Sequence, residues 1–345
     1  IIICRTEADL DEDNRRKIAM FCNVEKKNVV AFRDVAHTIY ECPLDLRRDK
    51  IDRLVVDKIG LGHTPAPALE DWESFVQKVI HPKHRITIAV VGKYIELQDA
   101  YKSIYESLIH AGARHDTKVT IVRVEAEAIE DHGAKTVIGD VDGILVPGGF
   151  GDRGIEGKIL AAQYARESDI PYFGICLGMQ VATIEFARNV CKLRGADSTE
   201  FDKGAKYPVI CLQEEQKGVE DMGATMRLGS CESILFAGTK ASDLYGGADR
   251  IHERHRHRYE FNSDFQDKLQ ESGLVISSVS AKEGLVEIIE LADHPFYLAA
   301  QFHPEFQSKP NQPHPLFAGF VKAALDRANA IHEPKSKAKG AKAQA

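Results

Sequence analysis

Three stretches of this 345-residue chain combine reactive side chains with the backbone types that expose them. The sharpest is Gly174-Ile175-Cys176-Leu177-Gly178, set between an apolar run, Pro171 to Ile175, and a helix-like run, Leu177 to Arg188. A cysteine on a tight turn from strand to helix is a nucleophile elbow, with its sulfur at the edge of the sheet and glycines permitting the strained backbone. A helix beginning at Leu177 aims its N-terminal dipole at that sulfur and favours thiolate over thiol. Cys191, Cys211 and Cys231 have no such frame and read as packing residues. A thiolate nucleophile needs a base, and the base needs an orienting group. The apolar run Phe296 to Phe302 ends in His303-Pro304-Glu305, at the strand end where open α/β sheets place their sites. Glu305 can hold the imidazole in one tautomer. Taken singly, Cys176 reads equally as a buried structural thiol and His303 as a surface histidine beside a turn. Together they form a Cys-His-Glu triad.

Pro147-Gly148-Gly149-Phe150-Gly151-Asp152-Arg153-Gly154 also follows a strand and precedes a helix. Gly149, Gly151 and Gly154 match the spacing of the dinucleotide fingerprint, but that fingerprint needs an acidic residue at the end of the next strand. The next strand ends in Ile175-Cys176 instead, and Ile159 follows Gly157-Lys158 where a phosphate loop needs Ser or Thr. The better role for these glycines is to expose backbone N–H groups beside the sulfur. Gly149 then supplies one half of an oxyanion hole and the Leu177 N–H the other. In Glu253-Arg254-His255-Arg256-His257-Arg258-Tyr259-Glu260, a strand would put His255 and His257 on one face. Adjacent arginines repel a cation there, so no metal site is expected in this chain. Arg254, Arg256 and Arg258 on the opposite face suit a carboxylate or phosphate, unless they are simply solvated.

The elements that must carry these residues alternate. Ile86 to Val91 is a continuous apolar run, as in a strand buried on both faces, and Leu97 to Ala111 has helical periodicity. Strands at Val119–Val122, Gly143–Val146 and Pro171–Ile175 alternate with helices at Ile155–Arg166 and Leu177–Arg188. This order predicts an α/β fold with a doubly wound, mostly parallel sheet. From Tyr207 onward shorter, more alternating runs predict an antiparallel extension, closed by a helix from Pro315 to about Arg327. Residues 1–55 read as a small remnant of a second α/β domain, too short to bury much core alone. Residues 56–82 read as a linker with a helix near Trp72, residues 83–330 as the main domain, and residues 331–345 as a disordered Lys/Ala tail. The first residue is not Met and Ile1-Ile2-Ile3 resembles a strand entered partway, so the chain is expected to be the C-terminal part of something longer. Seven cysteines in no paired pattern suit a reduced, cytoplasmic setting, and a net charge of −7 argues against general nucleic-acid binding. No apolar run approaches the roughly 20 residues of a spanning helix.

The cysteine elbow, the upstream Pro-Gly-Gly and the downstream His-Pro-Glu resemble the class I glutamine amidotransferase domain, a flavodoxin-like glutaminase. Val91-Gly92-Lys93-Tyr94, Asp99-Ala100-Tyr101-Lys102-Ser103, the glycine loop, Arg254 to Glu260 and His314-Pro315-Leu316-Phe317 resemble the CTP synthase family in particular. This resemblance implies a glutaminase that attacks L-glutamine through Cys176, shuttles protons through His303 and orients His303 with Glu305. It needs no cofactor for that step. The resemblance places the glutamine site on Gly149, Leu177, Gly178, Met179, Gln180, Glu200 and Arg258, with Glu200 for the α-amino group and Arg258 for the α-carboxylate. Phe150, Gly151, Arg153 and Gly154 would form a lid responsive to GTP as allosteric activator. In the full-length enzyme, a synthetase domain would use ATP and Mg²⁺ to aminate UTP to CTP, within a homo-tetramer. Lys17 would contact the pyrimidine nucleotide, and Arg33, Asp34 and Val35 would border the ATP base. Two other classes remain: a stand-alone γ-glutamyl cysteine hydrolase, and a non-catalytic nucleotide-binding scaffold.

Overall fold

The computed structural model describes all residues except 63, 94–96, 213–225 and 333–345. Tyr94 and the Lys/Ala tail beyond His332 therefore lie outside the described residues. The chain divides between Pro82 and Lys83 into two units. In the first, β1 (Ile2–Thr6) and β2 (Val29–Arg33) pair in parallel. Helix α1 (Glu12–Phe21) joins them, capped by the Asp11 carboxylate, which accepts the Asn14 N–H at 2.7 Å. Helices α2 (Cys42–Arg48), α3 (Ile51–Ile59) and α4 (Glu70–Ile80) follow. Helix α4 is held within this unit: Trp72 Nε1 donates to the Tyr40 carbonyl at 2.7 Å, and Phe75 packs edge-on to the Tyr40 ring.

In the second unit the predicted alternation forms in order. Strand β3 (His84–Gly92), helix α5 (Lys102–Arg114), strand β4 (Thr117–Glu125), helices α6 (Ala126–His132) and α7 (Ala134–Ile138) and strand β5 (Gly143–Val146) come first. Helix α8 (Ile155–Glu167), strand β6 (Tyr172–Ile175) and helix α9 (Leu177–Asn189) complete the alternating part. Strands β7 (Ala196–Ser198), β8 (Tyr207–Leu212) and β9 (Arg227–Leu235) follow, then α10 (Lys240–Leu244), β10 (Arg250–His257) and β11 (Tyr259–Phe261). Helix α11 (Gln266–Glu271), β12 (Leu274–Ser280), β13 (Val286–Leu291), β14 (Tyr297–Ala300) and α12 (Pro315–His332) end the unit.

Among the described residues nine strands make one sheet, in the order β10-β9-β12-β13-β14-β6-β5-β3-β4. The five from β14 to β4 are parallel, and β13, β12, β9 and β10 add antiparallel. Counted along the chain, the parallel part runs 2-1-3-4-5, the flavodoxin-like doubly wound order. Alternate residues of its strands feed two cores. Tyr172, Ile144 and Val146 pack toward α8 and α9, while Phe173, Leu145 and Val90 pack toward α5 and α12. Strands β7, β8 and β11 form a separate small sheet.

Two boundaries differ from the periodicity. The stretch Gln98–Tyr101 winds as a 3₁₀ turn, so α5 begins at Lys102 rather than Leu97. The Tyr101 hydroxyl there donates to the Lys93 carbonyl at 2.9 Å. Helix α12 runs to His332, two residues into the segment assigned to the disordered tail.

Candidate active site

Cys176 is the residue between β6 and α9, with φ 52° and ψ −103°, a left-handed backbone that L-residues rarely adopt. The turn is built by close approaches that only glycine allows. A Cβ on Gly178 would lie 2.1 Å from the Val146 carbonyl oxygen, and one on Gly174 would lie 2.6 Å from the Gly178 oxygen. The Met179 and Gln180 N–H groups turn back onto the Cys176 carbonyl at 2.9 and 3.2 Å, closing the first turn of α9. The sulfur residue is 4% exposed, yet it lines a cavity of about 260 Å³ at the carboxyl ends of the parallel strands. Gly148, Gly149, Phe150, Arg256, His303 and Phe306 share that lining.

His303 comes from the segment after β14, the strand beside β6. A Cβ on Gly148 would lie 2.9 Å from His303 Cε1 and 3.4 Å from Cys176 Cβ, so imidazole and thiol meet over one glycine. His303 Nδ1 is 2.8 Å from Glu305 Oε1 and the ring stacks on Phe306 at 5.3 Å. Nε2 is thereby the nitrogen available to the sulfur. Burial pushes the imidazolium down, but the neighbouring Cys176 sulfur and the Glu305 carboxylate outweigh it and leave the His303 pKa raised to about 10.

Gly149 shares the cavity lining with Cys176, and a Cβ on it would sit 3.5 Å from Leu177 Cδ2. The glycine loop is tied on its far side. Gly151 N–H donates to Glu200 Oε1 at 3.1 Å, Lys93 Nζ donates to the Phe150 carbonyl, and Arg153 grips Glu127 with Nε at 2.7 Å and Nη2 at 2.6 Å. Gly154, with φ 71°, starts α8. Burial raises the Glu200 carboxyl, and the Gly151 N–H and the Arg258 charge oppose that shift. Glu200 and Arg258 are both outside the lining of the Cys176 cavity, where Arg256 stands instead, its guanidinium 5.9 Å from the Phe150 ring. Met179 is wholly buried in the core, and Gln180 has its amide engaged by the Tyr259 carbonyl at 3.1 Å and by Gln301 Oε1 at 3.3 Å.

The Arg-His run is strand β10 with its alternation realised: Arg254 and Arg256 are exposed, His255 and His257 buried. His255 Nδ1 and His257 Nε2 lie 2.9 Å apart, and among the described residues no group of three or more His, Cys, Asp or Glu could hold a metal ion. The strand also reaches the triad. The His303 N–H donates to the Arg254 carbonyl at 2.8 Å, and Gln307 Nε2 donates to the His252 carbonyl at 2.9 Å. Arg256, read from the sequence as one of three arginines suited to a carboxylate or phosphate, lines the cavity, whereas Phe306 and Gln301 are residues that sequence reasoning did not single out. Gln301 donates Nε2 to Cys176 Sγ at 3.7 Å, and its only signal was a polar residue in an otherwise apolar strand.

In the first unit, Lys17 is exposed on α1, and Val35 follows β2. Arg33 pairs with Asp9, and Asp34 with Arg5 at 2.5 Å. Arg33 alone of the four lines a cleft of about 630 Å³, with Arg15, Lys27 and Arg48.

The model of class-I glutamine amidotransferases matches residues 96–323, and that of the CTP synthase N-terminus matches residues 1–61. The solved glutaminase domain of Trypanosoma brucei CTPS, with acivicin bound, superposes with a TM-score of 0.66 at 39% identity, covering 70% of this chain and 94% of that one. The chain belongs to the CTP synthase family. The CTP synthase of Methanococcus aeolicus is 52% identical over 95% of this chain and 62% of its own length. That of Caldanaerobacter subterraneus is 52% identical over 94% of this chain and 60% of its own. The chain thus spans about three-fifths of the family members it matches. Its main domain is a class-I glutaminase, and no helix among the described residues is long and apolar enough to cross a membrane.

Proposed function

We propose that this chain hydrolyses L-glutamine through Cys176, His303 and Glu305, and that the ammonia serves the ATP-dependent amination of UTP to CTP in the whole protein. The observation that carries the reading is a cysteine at φ 52° on a helix N-terminus, sharing one glycine with a histidine whose Nδ1 is 2.8 Å from a glutamate. The Cys176 thiolate attacks the side-chain amide carbon, and the oxyanion that forms is stabilised by the Gly149 and Leu177 N–H groups. The His303 imidazolium gives its Nε2 proton to the departing ammonia. His303 then takes a proton from water as it cleaves the glutamyl thioester, and glutamate leaves. Glu305 accepts from Nδ1–H throughout and keeps Nε2 as the shuttling nitrogen.

Glu200 and Arg258 suit the substrate's ammonium and carboxylate, and Phe150 to Gly154 is the loop that would gate the site in response to GTP. Lys17, Arg33, Asp34 and Val35 would border the nucleotides. ATP, Mg²⁺, a homo-tetramer and a cytoplasmic setting are part of this reading for the whole protein. Ammonia release from glutamine, together with covalent capture of Cys176 by diazo-oxo-norleucine, tests the glutaminase. Cys176→Ala should lower release by roughly a thousandfold or more. A folded wild-type chain that neither releases ammonia nor forms the adduct overturns the reading. The amination is tested on the whole protein with UTP, ATP and glutamine, where the present chain alone should make no CTP.

A further inference from the structure

The nucleophile has a neighbour with no place in the triad. Gln301 is wholly buried and follows β14 directly, where β14 and β6 run parallel with Ala300 opposite Ile175. The next residue on each strand is Gln301 on one and Cys176 on the other, and Cys176 N–H donates to the Ala300 carbonyl at 2.7 Å. Gln301 Nε2 lies 3.7 Å from Sγ, and its Oε1 lies 3.3 Å from Gln180 Nε2. Which end of a buried amide meets the sulfur decides the chemistry, because an N–H favours thiolate and a carbonyl favours thiol. The neighbours settle this point. Gln180 Nε2 also donates to the Tyr259 carbonyl at 3.1 Å, and a backbone carbonyl accepts only. The end of Gln180 near Tyr259 is therefore its NH₂. The atom of Gln301 that meets the same NH₂ must be its oxygen, so its NH₂ is left for the sulfur.

We infer that Gln301 donates a hydrogen bond to the Cys176 thiolate, and that Gln180, anchored on Tyr259, is a positioning residue that fixes the direction of that donor. The inference rests on Cys176 being the nucleophile of the glutaminase. It gives Gln180 a role in readying the sulfur beside the place in the glutamine site that the resemblance implies. The other charged or titratable groups lining the cavity at the sulfur are His303 and Glu305 after β14, Arg256 on β10, and Asp99 and Tyr101 before α5, with buried His255 packed against the Phe302 ring. None is changed by the substitutions below.

The test is the pH dependence of alkylation at Cys176 by iodoacetamide, read per cysteine by mass spectrometry on the full chain, beside glutamine hydrolysis. In Gln301→Leu the midpoint should rise by about one unit, a tenfold smaller thiolate fraction below the midpoint. In Gln301→Glu, which keeps the volume but replaces the donor by an acceptor, it should rise further. Gln180→Leu leaves Gln301 in place and should move the midpoint in the same direction by less. It also keeps the test open should the Gln301 variants not fold. In the Gln301 variants, lower kcat with KM little changed should accompany the shift. Wild-type midpoints in all folded variants overturn the inference while leaving the glutaminase intact. A wild-type chain without Cys176-dependent hydrolysis overturns the glutaminase itself.

Discussion

Arg227 Nη2 lies 2.6 Å from Glu287 Oε1, and the Glu287 side chain is entirely buried. Around this pair sit Glu260, with an oxygen 3.8 Å from Arg227 Nη1, and the two histidines of β10. Burial, helped by the Arg227 charge, holds His255 and His257 well below the ordinary imidazole range, so both are neutral. One guanidinium therefore offsets two carboxyls behind the strand whose outer face carries Arg254 and Arg256.

Arg227→Met should be costly, because it leaves carboxyls buried without their cation. A loss of about 3–5 kcal/mol is expected at pH 7 by chemical denaturation. Burial raises the Glu287 carboxyl to about 7, with Arg227 opposing the rise. Without Arg227 the carboxyl rises further and holds its proton at pH 7, so the loss should grow as pH is raised above 7 and shrink toward pH 5.

Lys158 is 2% exposed, and burial, with repulsion from Lys93, lowers its amine to about 8. Between about pH 8 and the ordinary value of 10.5 the unfolded chain binds the proton that the folded chain has released, so folding stability rises with pH across that window. The full difference corresponds to about 3 kcal/mol. Lys158→Met should be more stable than wild type at pH 7 by about 1–3 kcal/mol, with the gap closing as pH approaches 10.5. Thermal melting at pH 7 and pH 10 measures both.

His303 should lose its elevated pKa when the sulfur goes. Its value of about 10 reflects the Cys176 and Glu305 contacts set against burial. In Cys176→Ala only Glu305 remains to oppose burial, and a fall of about one unit or more is expected by NMR titration of the imidazole. In wild type the imidazolium contributes stability in full below the ordinary histidine pKa near 6.5 and loses it as pH rises through about 10.

Gly178→Ala places a methyl 2.1 Å from the Val146 oxygen, against a strand that cannot yield. The elbow must open. A destabilisation of about 3 kcal/mol or more and loss of glutamine hydrolysis should appear together, by melting and by ammonia release.

Much of this arrangement is written locally. Ile86 to Val91 reads as a two-faced strand because each face meets its own helix layer, and the Arg254 to His257 alternation states which side chains are buried. Cys176, His303 and Glu305 are legible because their roles require special neighbours: glycines around one, a strand end before the others. Lys158 hides because a lysine between apolar helix residues ordinarily reaches water. Gln301 hides because its partners, Gln180 and Cys176, lie more than a hundred residues away. The order of the antiparallel strands is set by pairings that no local pattern records.

Strand β10 ends the nine-stranded sheet, and a terminal strand normally offers its bare carbonyls as a template for another chain. Here the His252 and Arg254 carbonyls are already taken, by the Gln307 side chain and the His303 main chain. The segment that carries His303 is also the seal on the sheet's exposed border. Any loosening of His303 would not only slow chemistry but also uncover a surface on which aggregates can grow.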